Sequence, residues 1–358
     1  MSQTAALIGS SLGGDHVPLI VPELFADPSP GAIATALEGL CEALLGSAVE
    51  RPELFSAGVG CVFGARLRDG RRVVLKLHGP RTSVGYLDAA QAVQRHLASG
   101  GFPAPEPLAG PAPFGLGTAT AETLLDAGAS ADAHEPPVRR ALAAGLADLV
   151  ARCRPLVALD ALRDHAMTVP DGALWPTPHE PRFDFAATSA GAEWVDEAAA
   201  AARAVRDAGP GDWVVGHIDW RVEHVRLAGG EIRAVYDWDS VRIEREPALV
   251  GAVAHAFTAD WSQEEWRHLP TLEEALAFVA DYEAARGAPF SRAERRVIRA
   301  ALLYTMAYTA RCEHSDVLTD MGRRPPRPPS PAAPAPTGAL AWVAAHATDL
   351  LPDVYCGG

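Results

Sequence analysis

The sequence has a single lysine. Of its 31 Lys and Arg residues, 30 are arginine, and the exception is Lys76. It stands in the apolar run Arg71-Arg72-Val73-Val74-Leu75-Lys76-Leu77-His78, which reads as a β-strand. A compact ammonium suits a cramped contact with phosphate oxygens, where a planar, forked guanidinium fits badly. Taken alone, Lys76 is explained equally well as one lysine codon surviving a strong arginine bias. Cysteine is also scarce. Cys41, Cys61, Cys153, Cys312 and Cys356 are scattered, odd in number and without CxxC spacing, which excludes a disulfide framework and a zinc site. No apolar run is long enough to span a bilayer. The N-terminal Met1-Ser2-Gln3-Thr4-Ala5 lacks the basic patch of a signal peptide, so a cytoplasmic protein without a membrane partner is expected. Positive charge is short overall. A formal net charge of −14 argues against nucleic acid as a partner, since its binding needs a basic surface. An acidic cleft would steer a cationic substrate, but the acid excess reads first as solubility.

What is present is a globular chain. Its 358 residues are 48% apolar, enough for a sizeable core in one or two domains. Ile33, Leu37, Leu40 and Leu44 recur at helical spacing, predicting a helix over 31–46. Residues 54–78 read as a three-stranded antiparallel meander. A Gly58-Val59-Gly60 turn follows its first strand, Asp69-Gly70 turns its second, and Lys76 lies on its third. A helix over 86–99 is stopped by Gly100-Gly101 and Pro103, and a strand or hairpin follows at 114–125. Beyond residue 135 the pattern turns helical, with segments at 137–152, 190–207, 271–286 and 291–312 and a last helix near 338–351. A β-rich insert at 213–238 interrupts them, and a Pro-rich stretch at 325–336 reads as a stiff linker or loop. The expected architecture is α+β: a small antiparallel-sheet N-terminal lobe and a larger helical C-terminal lobe, with a ligand site between them.

The densest polar cluster is Gly216-His217-Ile218-Asp219-Trp220-Arg221-Val222-Glu223-His224-Val225-Arg226. A hairpin turned at Gly229-Gly230 follows and ends in Val235-Tyr236-Asp237-Trp238-Asp239. An acid sits at each end of a β-type unit, with a metal-capable imidazole between. One carboxylate can orient a hydroxyl and accept its proton. The other, with one more ligand, can hold Mg²⁺ against phosphate oxygens. Phosphoryl transfer needs those parts together with a lysine and a glycine loop on the phosphates.

His217-x-Asp219-x4-His224 followed by Val235-Tyr236-Asp237-Trp238 resembles the catalytic loop and metal segment of the aminoglycoside phosphotransferase-type kinases, relatives of the choline kinases. The resemblance runs over roughly 54–257. It implies a protein-kinase-like bilobal fold with residues 1–120 as N-terminal lobe, 121–125 as hinge and 126–358 as helical C-terminal lobe. It implies that Asp219 is the catalytic carboxylate, that Asp237 with His224 holds Mg²⁺, and that Gly58 and Gly60 belong to the phosphate loop. By the same resemblance Lys76 meets the phosphates, while Glu122, Thr123 and Leu124 belong to the hinge that holds adenine by its backbone. The implied activity is an ATP-dependent O-phosphotransferase, with GTP as alternative donor, acting on a hydroxyl of an antibiotic or other natural product. Several positions depart from the family pattern. Ile218 replaces glycine, Trp220 and Arg221 replace smaller residues, and His224 stands where most members have asparagine, though the macrolide phosphotransferase branch also has histidine there. The helix at 86–99 offers Lys76 only Asp88, where the family usually has glutamate. These departures motivate a second reading, a nucleotide-binding pseudokinase with a regulatory or scaffolding role. A third reading, a protein kinase, is weaker: the insert between the catalytic loop and Asp237 is short, and no separate activation segment ending in Ala-Pro-Glu follows Tyr236-Asp237-Trp238.

Overall fold

The computed structural model describes residues 2–12, 18–165, 167–180, 182–263, 267–320 and 338–352. The chain divides into two units, residues 1–126 with 161–166, and residues 127–160 with 167–358. In chain order the first unit contains α1 (Gln3–Ser11), α2 (Ile20–Leu24), α3 (Pro30–Leu45), β1 (Val49–Ala57), β2 (Cys61–Leu67), β3 (Arg72–His78), α4 (Val84–Ser99), β4 (Pro107–Phe114) and β5 (Gly117–Thr123). The strands form one antiparallel sheet of order β1-β2-β3-β5-β4.

Strand side chains alternate between faces, so each strand has an apolar set and a second set. Val73, Leu75 and Leu77 of β3 share one face with Phe63 and Ala65 of β2 and Ala119 and Ala121 of β5, all buried. Ile8 of α1, Val21 and Leu24 of α2, and Ile33, Leu37 and Cys41 of α3 cover that face as one core. The helix expected at 31–46 is α3. Ser29 caps it, Pro30 sets its first turn, and Gly46 ends it in the left-handed region at φ 71°. On the other face the register brings Val62, Lys76 and Thr120 side by side, then Gly64, Val74 and Glu122. Helix α4 packs along β4. The meander is present, with its first strand starting at Val49 rather than 54. The segment expected at 114–125 is the second half of a longer hairpin. Strand β4 carries Pro107, Pro111 and Pro113, which read as loop, yet it lies at the sheet edge where a missing N–H costs no ladder bond. Helices α1 and α2 are short and were not expected.

The second unit contains α5 (Pro136–Arg152), α6 (Glu193–Ala208), β6 (Trp213–His217), β7 (Val225–Ala228), β8 (Glu231–Val235), β9 (Val241–Arg245), α7 (Glu246–Ala254), α8 (Leu272–Arg286), α9 (Arg292–Asp320) and α10 (Ala339–Leu350). Helix α9 packs against α6, α7 and α10, and α5 packs against α8. The β-rich insert is two antiparallel pairs, β6 with β9 and the hairpin β7–β8, turned by Gly229 and Gly230 at φ 64° and 81°. Strand β9 and helix α7 were not expected. At the head of α7, buried Glu246 accepts from Tyr282 Oη at 2.9 Å and from Arg286 Nε and Nη2 at 2.8 and 3.0 Å. The acid opening that helix is therefore a packing brace. Among the described residues no helix is long and apolar enough to cross a membrane. Cys41, Cys61, Cys153 and Cys312 are buried free thiols, each pushed up to about 12 mainly by burial. Cys356, Glu264-Glu265, Arg323-Arg324 and the Pro-rich stretch at 325–336 lie outside the described residues.

Candidate active site

The residues nominated from sequence fall into two groups, one in each unit. In the first unit Lys76 is half-buried at the centre of the second sheet face, between Val62 and Thr120. The β1–β2 turn is closed by a hydrogen bond of 2.8 Å from Gly58 N to Gly60 O. A Cβ at Gly60 would stand 2.8 Å from the Leu77 carbonyl oxygen, so the turn lies against the residue that follows Lys76. At Gly58 a Cβ would meet nothing within 4 Å, and space alone does not demand glycine there. Glu122 is buried, and its Oε2 accepts from Gln94 Nε2 of α4 at 2.7 Å. The Thr123 amide donates to Glu106 O at 2.9 Å and the Leu124 amide to Arg72 O at 3.0 Å. Those two N–H groups are spent inside the sheet and are not free for the adenine contact that the resemblance implied. Gly64 belongs to no motif, and only the structure marks it. A Cβ there would collide with Leu54 Cγ at 2.7 Å and Leu124 Cδ1 at 3.0 Å, so these leucines close over bare backbone on the Lys76 face. Asp88, the only acid of α4, is exposed.

In the second unit the loop after β6 and the segment after β8 come together. Ile218 N donates to Ser240 O at 2.9 Å and Tyr236 N to His224 O at 2.8 Å. One potential ligand atom from each of Asp219, His224 and Asp237 lies within 4.8 Å of the others. Asp237 is the only non-glycine residue with positive φ among the described residues, at 63°. A left-handed backbone costs an L-residue energy and marks a position fixed by its surroundings. Ser240 Oγ donates to Asp237 Oδ2 at 2.7 Å and steadies it. His217 is fully buried, with Nε2 3.0 Å from Tyr236 O and its ring edge-on to Trp220 and Trp238. Burial pushes its pKa down against the opposing pull of Asp237 and Asp219. It braces the loop. Trp220 and Trp238 are buried, with Nε1 donating to Leu142 O and Val235 O, whereas Trp213 is exposed under Arg245.

Arg221 is the residue the sequence reading undervalued. Its Nη1 lies 3.1 Å from Asp219 Oδ1, its Nε 2.9 Å from Glu223 Oε2 and its Nη2 3.2 Å from His224 Nε2. His224 Nδ1 lies 3.0 Å from the Asp219 carbonyl oxygen and 3.6 Å from its Oδ2. A carbonyl only accepts and a guanidinium only donates, so these partners assign the proton to Nδ1 and the lone pair to Nε2. That lone pair points at Arg221. Two carboxylates fit a hard divalent cation, but the imidazole joins them only when Arg221 releases it. Three further acids of this unit are tied locally. Glu180 pairs with Arg182, Asp184 caps the amides of Ala186 and Ala187, and Asp260 is buried against Ser262 N. An aromatic cluster of the same unit is invisible to local motifs because its members lie far apart in the sequence, from Trp175 to Tyr308. Trp175 stacks on Tyr304, Phe185 meets Tyr308 edge-on, and His179 Nδ1 lies 3.0 Å from Tyr308 Oη. Burial lowers the His179 pKa, and the charges of Asp219 and Arg221 also act on it.

The family model described as the phosphotransferase enzyme family matches residues 63–245, just over half of the chain. No curated protein matches the chain by sequence. Among solved structures, a thermostable mutant of aminoglycoside phosphotransferase APH(4)-Ia, in ternary complex with AMP-PNP and hygromycin B, has a TM-score of 0.51 at 18% identity. The match covers 90% of this chain and 99% of that chain. Amicoumacin kinase hAmiN with AMP-PNP, Ca²⁺ and Ami has a TM-score of 0.51 at 11% identity, covering 83% and 86%. Spectinomycin phosphotransferase APH(9)-Ia with ADP and spectinomycin has a TM-score of 0.51 at 10% identity, covering 90% and 98%. At such identities the likeness is one of fold, a kinase-like α+β arrangement.

Proposed function

Because the chain belongs to the phosphotransferase enzyme family and is thereby a small-molecule phosphotransferase, we propose that it moves the γ-phosphoryl group of ATP to a hydroxyl of an antibiotic or other natural product in the cytoplasm. The observation that carries this reading is the gathering of Asp219, His224 and Asp237 on the family-matched span. Asp219 orients the acceptor hydroxyl and takes its proton as the oxygen attacks the γ-phosphorus and ADP leaves. Asp237 would hold Mg²⁺, with His224 as a second ligand once Arg221 has turned away. A divalent cation there neutralises charge on the phosphate oxygens. Lys76 is the phosphate contact of the sheet, and the turn of Gly58 and Gly60 is its phosphate loop. The adenine lies at the end of β5, by Glu122, Thr123 and Leu124, where the apolar side chains of Leu54 and Leu124 close over Gly64. Neighbours of the same fold hold AMP-PNP or ADP together with hygromycin B or spectinomycin, which supports both the donor and the acceptor class.

A nucleotide-binding pseudokinase is the competing reading, favoured by the engagement of both His224 nitrogens. One experiment separates them. Aminoglycosides, spectinomycin, macrolides and other hydroxylated natural products are incubated with ATP or GTP and either Mg²⁺ or Mn²⁺, and products are read by mass spectrometry. A phosphorylated acceptor formed with ATP supports the transferase. Nucleotide binding without turnover on any acceptor or metal overturns it.

A further inference from the structure

Lys76 needs a group that aims its ammonium, and the helix that packs along the sheet edge does not carry one. The single acid of α4, Asp88, is exposed. The buried polar positions of that helix are amides. Gln91 donates to Ala109 O at 3.0 Å, and Gln94 donates to Glu122 Oε2 at 2.7 Å. The acid in this neighbourhood therefore sits on β5 and not on the helix.

The register fixes where Glu122 lies relative to Lys76. Lys76 stands opposite Thr120, and Val74 opposite Glu122. Directly opposite residues of an antiparallel pair share a face, and steps of two stay on it. Lys76 and Glu122 are thus diagonal neighbours on one face, with Cα atoms roughly 7 Å apart, within reach of two long side chains. Among the residues of β2, β3 and β5 on that face, Glu122 is the only acid. Its other diagonal neighbour is also a cation, Arg72. That guanidinium is committed elsewhere: Nε and Nη2 lie 2.9 and 2.6 Å from Glu53 Oε2, and Nη1 reaches Asp126. Glu122 itself is 7% exposed. A carboxylate so buried is costly unless a counter-charge accompanies its hydrogen bonds, and Gln94 supplies a bond but no charge. Arg72 being spent, the cation left on this face of β3 is Lys76.

We propose that Glu122 is the acidic partner of Lys76, held in place by Gln94, so that the ion pair which aims the phosphate-binding ammonium is built within the sheet. The proposal rests on the reading of Lys76 as a phosphate contact, and Glu122 acts through Lys76 as a positioning residue.

Having one lysine makes the test direct, because protein labelled with ¹³C,¹⁵N-lysine gives a single side-chain signal. In the full-length protein, Glu122→Gln keeps an oxygen for Gln94 and removes the charge. The Lys76 ammonium is expected to titrate about one unit lower than in wild type. ADP binding is expected to weaken about tenfold, the weight of one charge-assisted hydrogen bond. Asp88→Asn is expected to move neither. An unchanged titration in Glu122→Gln, or an equal shift in Asp88→Asn, overturns the pairing. If Glu122→Gln fails to fold, Glu122→Asp keeps the charge on a shorter stem, and any displacement of the lysine signal supports the pairing while an unmoved signal overturns it. Lys76→Met separates the two layers. Unaltered ADP affinity in that variant defeats the phosphate contact, while the titration still decides the ion pair.

Discussion

The sheet of the first unit and the loop of the second place their charged groups by opposite means. In the sheet, Lys76, Thr120 and Glu122 take their positions from backbone ladders, and each side chain inherits its face from register alone. In the loop, Asp219, Arg221, His224 and Asp237 sit on irregular backbone and depend on one another. Arg221 touches three of its neighbours' side chains, His224 is tied to the Asp219 carbonyl, and Asp237 keeps a left-handed backbone. A ladder isolates the effect of a substitution, whereas a network spreads it.

The largest effect is expected in the loop. Asp219→Asn should lower kcat about 10³-fold, within the range of general-base contributions, while leaving ADP affinity near that of wild type. Calorimetry of ADP binding beside initial rates checks it, and wild-type-like turnover would remove Asp219 from its role. A smaller effect is expected in the sheet. Lys76→Arg keeps the charge but should lower kcat/KM about tenfold, because the guanidinium is wider and more directional. Full activity in that variant would make the lone lysine a compositional accident. The smallest effect tests whether the loop network is linked to metal choice. Imidazole prefers softer cations than an amide oxygen does, so His224→Asn should raise the ratio of Mg²⁺- to Mn²⁺-supported turnover about threefold. Arg221→Ala frees Nε2 and should tighten Mn²⁺ binding to the AMP-PNP complex, measured by electron paramagnetic resonance. An unchanged ratio together with unchanged Mn²⁺ binding would confine His224 to bracing the loop.

The same contrast governs what could be read in advance. The meander, the position of Lys76 and the hairpin between Asp219 and Asp237 follow from alternation and turn residues, so they were legible. Strand β4 was hidden by its prolines, which only its edge position tolerates. Helices α1, α2 and α7 are 9, 5 and 9 residues long, too short for apolar periodicity to stand out. Glu122 was placed in the hinge for its backbone, and its side chain acquires meaning only once Gln94 and the register are known. The engagement of both His224 nitrogens depends on which way a ring and a guanidinium turn, and no spacing encodes that. Composition qualifies the substitution at 224 as well. The sequence has no asparagine anywhere, so the loss of an amide there is part of a chain-wide absence.

The apolar layer of α1, α2 and α3 over the sheet has a practical corollary. The family match begins at Phe63, in the middle of β2, and stops where β9 ends. A fragment cut to that span would lose β1 and the three helices whose Ile8, Val21, Ile33 and Leu37 shield Phe63, Leu75 and Leu77 from water. It would also lose α7 to α10, against which α5 and α6 pack. The family-matched span is therefore shorter than the packed core it belongs to, and expression trials should begin from the intact N-terminal helices.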